Sequence, residues 1–308
     1  MTPARAKAKT PAKAKTPARA KQPTRVYLAG PMFSDGDKAE QTELADALTK
    51  AGFKRHVPQD DGIEVAAVMG LLNEPSLHDP SNRGTPMLEP IVLARCAAWV
   101  TRAVVALDVY EVIEGCQCIV LNIDGRVPDE GALVEASLAW STGHPIVTYK
   151  TTSISELGGN NNPMIGVIGG WTAVTTELKN VVPEVRKAVN SAGAVEPVSS
   201  LPTDVQDLVA LGRVIAGIRG RRSLNPTQLA AAAQTLKALP QAVLLEPDPT
   251  LQPMSQEVVL AVIEFSKLGR NQKARQQTLF QNQIAALQTW AARPDIRNAL
   301  VQSHPLPC

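Results

Sequence analysis

Apolar runs and helical patterns alternate along residues 26–192, and this alternation predicts the fold. Three runs are continuous and rich in β-branched residues, as buried parallel strands are; they are RVYLAG, CIVLNID and PIVTY. A weaker strand is expected over 54–58. Each run ends in a turn or leads into a helical pattern, the order that builds a doubly wound parallel sheet. The predicted fold class of residues 26–192 is therefore α/β.

The helical patterns lie between these runs. Residues 38–53 carry apolar positions at helical spacing as far as Gly52, which is expected to end the helix. Residues 91–114 are predicted to be largely helical, with a break near Asp108. A helix over 132–142 joins the second and third apolar runs. The result is a βαβ unit, whose crossover should be right-handed.

Three other regions differ from the predicted sheet. Residues 59–90 include a polar, Pro-rich stretch whose length indicates a loop over a site. Residues 193–202 have the composition of a linker. Residues 203–308 show only helical patterns, with Asn225 and Ser255 as expected helix starts. This last region is predicted to be a small α-helical domain or an oligomerisation appendage of unknown role.

The N-terminal residues 1–25 repeat Thr-Pro, Ala and Lys, and they contain eight basic residues and no acidic one. Such a segment cannot bury enough apolar surface to order itself, so a basic, disordered tail is predicted. Because the whole chain carries +2, the remaining residues carry −6. The tail is interpreted either as a polycation that contacts nucleic acid or another anionic surface, or as a solubilising extension.

Composition narrows the class of protein. With 308 residues, of which 44% are hydrophobic, the chain has material for one to three domains. No continuous apolar run approaches the roughly 20 residues that are needed to span a bilayer. The N-terminal residues lack the apolar stretch of a secretory signal, so none is expected. The spacing of Cys96, Cys116, Cys118 and Cys308 fits no zinc site. They are predicted to be buried thiols of a cytoplasmic protein, and no metal or cofactor is expected.

Polar residues follow the strand ends, where ligands of an open parallel sheet bind. Tyr27 lies in the first run, and Gly30 and Pro31 close it. Gly30 would let the backbone approach a ligand closely. After the central run, Asp129 is a natural N-cap and Gly131 leaves room above the first helical turn. All these residues are candidates for a substrate site.

A third polar segment, residues 158–164, contains three consecutive asparagines that end at Asn162, followed by Pro and Met164. It is predicted to join the same site. Arg126 and Ser34 are candidates for a phosphate contact, although a loop arginine is more often solvated.

Glu135 is the single charged residue of the 132–142 helix. It could be an ordinary solvated side chain, but no other charge marks a solvent-facing stripe. Lining a polar pocket would spare it the several kcal/mol that burial without a partner costs. Asp129 could simply cap the helix, and Tyr27 could simply be a core aromatic. Their coincidence at one edge of a parallel sheet favours a site.

The segments VYLAGPMF, NIDGRVPDEGALVEASLAWSTGHPIV and NNNPMIG together resemble the nucleoside 2-deoxyribosyltransferase family and the related 2'-deoxynucleoside 5'-phosphate N-hydrolases, over about residues 26–180. The resemblance implies a flavodoxin-like sheet, assembled as a homo-oligomer with shared sites. It also implies a deoxynucleoside or deoxynucleotide and a free nucleobase as partners.

By the same resemblance, Glu135 is the nucleophile that attacks C1' of the deoxyribosyl group. Tyr27 would orient Glu135, and Asp129 would hold sugar hydroxyls. Asn162 would serve the site of the neighbouring subunit. Asp108 is the nearest candidate for the acid that protonates the departing base, and it lies about one residue out of register with the family.

Three functions remain open from the sequence. The glycosyl-Glu135 ester could be resolved by a second base, which is transfer, or by water, which is hydrolysis. Alternatively, the chain is a non-catalytic nucleotide-sensing module whose helical region binds a partner. The presence of Tyr27, Asp129 and Glu135 together favours an enzyme over a binding module.

Overall fold

A computed structural model describes residues 23–63, 89–125, 127–152, 162–169, 174–220, 246, 248–266 and 284–302, together with residues 227, 231 and 234. Several predictions lie outside these residues. They concern most of the tail, residues 64–88, Arg126, residues 153–161, most of residues 221–245, residues 267–283, and Cys308. Cys96, Cys116 and Cys118 are buried free thiols, as predicted.

Four parallel strands form one sheet in the order β2-β1-β3-β4. They are β1 (Arg25–Ala29), β2 (Lys54–His56), β3 (Cys118–Asn122) and β4 (Ile146–Tyr149). A single parallel bridge joins Tyr149 to Thr175, beyond β4. The bridge occupies the place of a fifth strand, so the order follows the 2-1-3-4-5 pattern of flavodoxin-like sheets. The predicted α/β fold is confirmed.

Helices connect and flank these strands. In chain order they are α1 (Asp35–Lys50), α2 (Pro58–Asp61), α3 (Pro90–Tyr110), a π-helical turn (Glu111–Gly115), α4 (Glu130–Ser141), α5 (Pro163–Ile168), α6 (Leu178–Ser191), a 3-10 turn (Val198–Ser200), α7 (Thr203–Arg219), α8 (Gln252–Ser266) and α9 (Pro294–Gln302). Residues 284–291 are also helical. Helix α8 begins at Gln252 rather than at the predicted Ser255, and α9 was not anticipated.

The two faces of the sheet bury alternate strand residues, as a pleated strand requires. Val26 and Leu28 pack with α1 and α6 on one face. Tyr27 and Ala29 pack on the other face, against α4, the π-helical turn and part of α7. Tyr27 therefore points towards the helix that carries Glu135.

Helix α3 differs from its prediction in two ways. It passes through Asp108 without a break, and the irregular geometry is the π-helical turn that starts at Glu111. Together they make a 26-residue helix, Pro90–Gly115, whose most apolar 18 residues have a mean hydropathy of 1.6, long and apolar enough to cross a membrane. The helix is not a continuous apolar run, since Arg95 and Arg102 interrupt it. Trp99, Val100 and their neighbours on α3 are buried in the largest core cluster, as in the core helix of a globular protein.

Helix α7, from the region predicted to be a separate helical domain, packs along α3. Its Leu211 and Ile215 belong to the cluster centred on α3, whereas its Val209 belongs to the cluster under the sheet. A Cβ on Gly212 would lie 1.9 Å from the carbonyl oxygen of Ala106, so the two helix backbones are in contact there. The domain boundary at 193–202 stays a prediction, but α7 shares its core with the sheet.

Candidate active site

The centre of the candidate site is a hydrogen bond between β1 and α4. The Tyr27 hydroxyl donates to Oε1 of Glu135 at 2.7 Å. Tyr27 is fully buried, and Glu135 is partly buried. The two residues are 108 positions apart in sequence, and the parallel pairing of β1 with β3 brings their elements together. The structure thus makes the contact that the resemblance implied.

The surroundings of Glu135 act in opposite directions on its charge. Burial chiefly, and then the negative charge of Asp108, hold the pKa of Glu135 well above its usual range, whereas the Tyr27 hydrogen bond lowers it. Burial and the nearby carboxylates also raise the pKa of Tyr27, which keeps its hydroxyl protonated as a donor. Among the causes of the Glu135 shift, Tyr27 is the group that favours the ionised, nucleophilic form.

Asp129 begins the helix that carries Glu135. Its Oδ1 accepts a hydrogen bond from the backbone N–H of Ala132 at 2.7 Å, so the predicted N-cap is confirmed. Its negative charge also raises the pKa of Glu135. A Cβ on Gly131 would lie 3.2 Å from Asp129 Oδ1, so glycine keeps the capping carboxylate unobstructed. Asp129 and Glu135 therefore lie near one another, as expected from their spacing of six residues.

Asp108 lies on α3 close enough to both Tyr27 and Glu135 for its charge to raise their pKa values. Burial and the charge of Glu111 raise the pKa of Asp108 itself to about 7, while Arg219 opposes them. Its Oδ1 is buried and has no hydrogen-bond partner in the part of the chain that the structure describes. A π-helical turn takes one residue more than an α-helical turn. A π-helical turn of this kind lies between Asp108 and β3, over Glu111–Gly115.

Gly30 and Pro31 lie at the carboxyl end of β1, where the predicted site required them. The reason for glycine is packing, since a Cβ there would lie 2.2 Å from Nε2 of Gln41 and 2.8 Å from Cβ of Asn122. Ser34 caps α1 and accepts a hydrogen bond from the Asp37 N–H at 3.1 Å. The proposed phosphate contact of Ser34 would have to share this hydroxyl.

Asn162 and Met164 lie at the start of α5. The Asn162 side chain caps that helix, accepting from the Met164 N–H at 3.0 Å. Asn162 is exposed, and Met164 is 68% exposed. Among the described residues, no hydrogen bond joins Asn162 or Met164 to Tyr27 or Glu135. Their outward position is compatible with a role in a neighbouring subunit, which stays a prediction.

Sequence reasoning missed an ionic cluster beneath Tyr27. The Tyr27 ring stacks on His56 with centroids 5.1 Å apart. Arg25 lies 3.0 Å from His56 Nδ1 and forms a short ion pair with Glu111. Burial and the charge of Arg25 lower the pKa of His56 to about 3, so the ring is neutral at ordinary pH. Arg25 was counted both with the basic tail and with the first apolar run, and it is the first residue of β1.

One signal in the sequence could have indicated this cluster. Glu111, like Glu135, is a carboxylate within a largely apolar helical stretch. Nothing in the spacing of Arg25 and His56 predicts that they meet it. Among the described residues, no group of three His, Cys, Asp or Glu side chains could hold a metal ion.

A cavity of about 630 Å³ lies elsewhere, between β4 and α6. Its lining includes His144, Thr148 and Lys187, but not Tyr27, Asp129 or Glu135. It is therefore separate from the candidate site.

A family model described as nucleoside 2-deoxyribosyltransferase matches residues 26–180, which is half of the chain. The chain belongs to this family. The match covers the sheet from residue 26 onwards, and it includes Tyr27, Asp108, Asp129, Glu135 and Asn162. It ends before α7, so the C-terminal helices lie outside the part that defines the nucleoside 2-deoxyribosyltransferase family.

Among solved structures, a conserved protein from Enterococcus faecalis V583 is similar to this member of the family at 17% sequence identity. The alignment covers 54% of this chain and 99% of that chain, with a TM-score of 0.36. The comparison with curated proteins found no match.

Proposed function

We propose that the chain cleaves the N-glycosidic bond of 2'-deoxynucleosides through a covalent glycosyl-Glu135 intermediate, and transfers the deoxyribosyl group to another base. The observation that carries this proposal is the 2.7 Å hydrogen bond from Tyr27 to Glu135. A carboxylate held in place beside the carboxyl end of a parallel sheet can attack an anomeric carbon in a defined direction. Family membership supplies the class of reaction.

The first step forms the bond between a Glu135 oxygen and C1' and breaks the bond between C1' and the base. The electron pair of the broken bond goes to the base nitrogen, which takes a proton from Asp108. The transition state resembles an oxocarbenium ion, which a nearby carboxylate stabilises as in retaining glycosidases. A 2-deoxy sugar favours it, because no electron-withdrawing 2'-hydroxyl destabilises the cation.

The second step reverses the first with a different base. A nitrogen of the incoming base attacks C1', the ester bond to Glu135 breaks, and the base proton returns to Asp108. An acid that alternates between its two forms works best when its pKa is near the working pH. The pKa of about 7 at Asp108 meets this condition.

The charges at the site support this division of roles. The Tyr27 hydrogen bond favours the ionised form of Glu135, as a nucleophile requires. Oδ1 of Asp108 has no partner within the described residues, so a proton there is available to a departing base. Burial raises the pKa of both carboxyl groups, and the Tyr27 hydrogen bond opposes this shift at Glu135, the proposed nucleophile.

The remaining roles belong to the same proposal. Asp129 would bind the sugar hydroxyls with the oxygen that does not cap α4. Gly30, Pro31 and Gly131 would line the substrate. Asn162 and Met164 would reach the site of a neighbouring subunit in a cytoplasmic homo-oligomer. The basic tail would contact an anionic surface or nucleic acid.

The test is base exchange, with a deoxynucleoside and a second free base followed by chromatography. We expect the new deoxynucleoside to form, and Glu135→Ala to abolish it and the deoxyribosyl adduct seen by intact-protein mass spectrometry. Glu130→Ala is the matched control, because Glu130 is an exposed residue in the first turn of the same helix.

Three outcomes separate the alternatives. Free base without exchange would select the hydrolase, in which water resolves the ester. Intact substrate throughout, for nucleosides and for 5'-monophosphates, would favour the sensing module. Full activity in Glu135→Ala would show that Glu135 is not the nucleophile.

A further inference from the structure

Helix α1 packs on the sheet through residues at the spacing of one helix face. The buried members of this face are Gln41, Leu44, Ala45 and Leu48. The last three are apolar and belong to the core cluster that contains Val26 and Leu28 of β1. Gln41 is only 1% exposed, yet it places an amide where the pattern of the helix predicts an apolar side chain.

The Gln41 amide lies at the carboxyl ends of β1 and β3. A Cβ on Gly30 would lie 2.2 Å from Nε2 of Gln41 and 2.8 Å from Cβ of Asn122. Gly30 directly follows β1, and Asn122 is the last residue of β3. In a sheet of the order β2-β1-β3-β4, the strand order reverses between β1 and β3. Ligands of flavodoxin-like sheets bind in the crevice at this switch point.

Two amides therefore lie at the switch point, and they differ in their hydrogen bonds. Nδ2 of Asn122 donates to Oε2 of Glu40 at 2.9 Å, and its Oδ1 accepts from the Asp124 N–H at 2.9 Å. In the part of the chain that the structure describes, neither Nε2 nor Oε1 of Gln41 has a hydrogen-bond partner. A buried amide in this state is unfavourable and rare in native proteins. Gln41, unlike Asn122, thus has its whole hydrogen-bonding capacity left for a ligand.

Other buried polar atoms without a hydrogen-bond partner lie beside the neighbouring strand. Within the described residues they include Nε2 of His56 and Oε1 of Gln59. His56 is the last residue of β2, which pairs with β1, and Gln59 lies in α2 directly after it. Several polar groups that converge on one concave region are typical of a ligand site. This grouping favours a ligand, rather than a packing defect, as the reason for the Gln41 amide.

We propose that Gln41 is a substrate-binding residue whose amide forms hydrogen bonds with a neutral group of the deoxynucleoside, either the edge of the base or a sugar hydroxyl. The inference deepens the proposed function and relies on it for the class of ligand. An amide both donates and accepts hydrogen bonds, as base edges and hydroxyl groups do. A phosphate is a poorer partner, because its oxygens chiefly accept and because the acidic Glu40 is bonded to the adjacent Asn122.

The first test needs no substrate and compares Gln41→Met with Gln256→Met by urea unfolding of the full chain. Methionine is unbranched and fills a similar space but lacks the amide. Gln256 in α8 is the matched control, because its amide is also buried and, among the described residues, also has no hydrogen-bond partner. We expect the midpoint of each variant to equal or exceed that of wild type, since an unpartnered amide is removed. A lower midpoint for Gln41→Met, or failure to fold, would show that the fold itself satisfies this amide and would overturn the proposal.

The second test is calorimetric binding of a deoxynucleoside, with Glu135→Ala introduced into every protein so that no turnover occurs. We expect Gln41→Met to raise Kd about tenfold, the effect of a buried ligand group that loses its partner, and Gln256→Met to leave Kd unchanged. An unchanged Kd in Gln41→Met overturns the proposal. Titration with the free base locates the contact: the same tenfold loss indicates the base edge, and no loss indicates a sugar hydroxyl.

Activity measurements separate this proposal from the proposed function. With Glu135 intact, Gln41→Met should raise the KM for the deoxynucleoside by about the same factor at a similar kcat, because an interaction equal in the bound substrate and the transition state changes only KM. Base exchange with unchanged KM and Kd would refute the role of Gln41 alone. A Kd that depends on Gln41, in a chain whose wild type neither exchanges nor releases base, would refute the proposed function alone.

Discussion

The substitution Tyr27→Phe removes one hydroxyl group and leaves the rest of the site in place. The Tyr27 ring is fully buried and stacks on His56, so phenylalanine keeps the packing. What is lost is a 2.7 Å hydrogen bond to a carboxylate. This change therefore tests whether the phenol keeps Glu135 ionised.

The magnitude follows from the kind of bond. Hydrogen bonds to charged groups contribute about 1.5–3 kcal/mol, which corresponds to about 1–2 pH units in the pKa of the acceptor. The bond lowers the pKa of Glu135, so its loss raises that pKa further. The acidic limb of the pH–rate profile, below which Glu135 is protonated, should move upwards by this amount. On that limb, kcat at a fixed pH should fall about 10- to 100-fold.

The assay is base exchange at a series of pH values with saturating substrate. Tyr149→Phe is the matched control, since Tyr149 is also buried but its hydroxyl interacts with Glu40 on the other face of the sheet. We expect its acidic limb to coincide with that of wild type. If Tyr27→Phe lowers kcat equally at all pH values, or leaves it unchanged, the phenol does not control the ionisation of Glu135.

Three further changes test the charge and packing around the site by urea unfolding. The native pKa of Asp108 is raised from 3.8 to about 7, so this group costs stability as the pH rises from about 4 to 7. In Asp108→Asn that share of the loss, at most about 4 kcal/mol, should disappear from the free energy of unfolding. An unchanged pH dependence would contradict the shift. Gly212→Ala should lower the free energy of unfolding by about 1–3 kcal/mol through overpacking. The control is Gly217→Ala in the same helix, where nothing lies within 4 Å of a Cβ, and it should raise that free energy by up to about 1 kcal/mol. Equal effects of the two substitutions would argue against the close contact with α3. Glu246→Ala removes the ion pair with the buried Arg95 and should lower the free energy of unfolding by about 3–5 kcal/mol. An unfolding midpoint equal to that of wild type would exclude the ion pair.

Much of the architecture could be predicted from local patterns. The apolar runs at β1, β3 and β4 and the helix that carries Glu135 agree with the structure to within a few residues. The N-cap at Asp129 was also predictable, because a cap depends on residues three positions apart. Each of these features depends on residues within one helical turn or one strand, so it can be predicted from the local sequence.

The errors arose where a local pattern has two structural solutions. A break in the helix was predicted near Asp108. The α-helix instead continues through Asp108 to Tyr110, and the irregular geometry is the π-helical turn that starts at Glu111. Arg25 looked like part of the basic tail. In the structure it begins β1 and forms an ion pair with Glu111, which is 86 positions away in sequence. The partner that decides each case comes from a different element.

The sequence by itself therefore determined the α/β class, the order of strands and helices, and the residues that mark the family. The tertiary structure decided which of those residues meet, as Tyr27 meets Glu135. Hydrophobic periodicity records which face of an element is buried but not which element covers it. The pKa of a carboxyl group depends on its burial and on the charged side chains of the elements packed against it. The chemistry of this site therefore requires the folded chain.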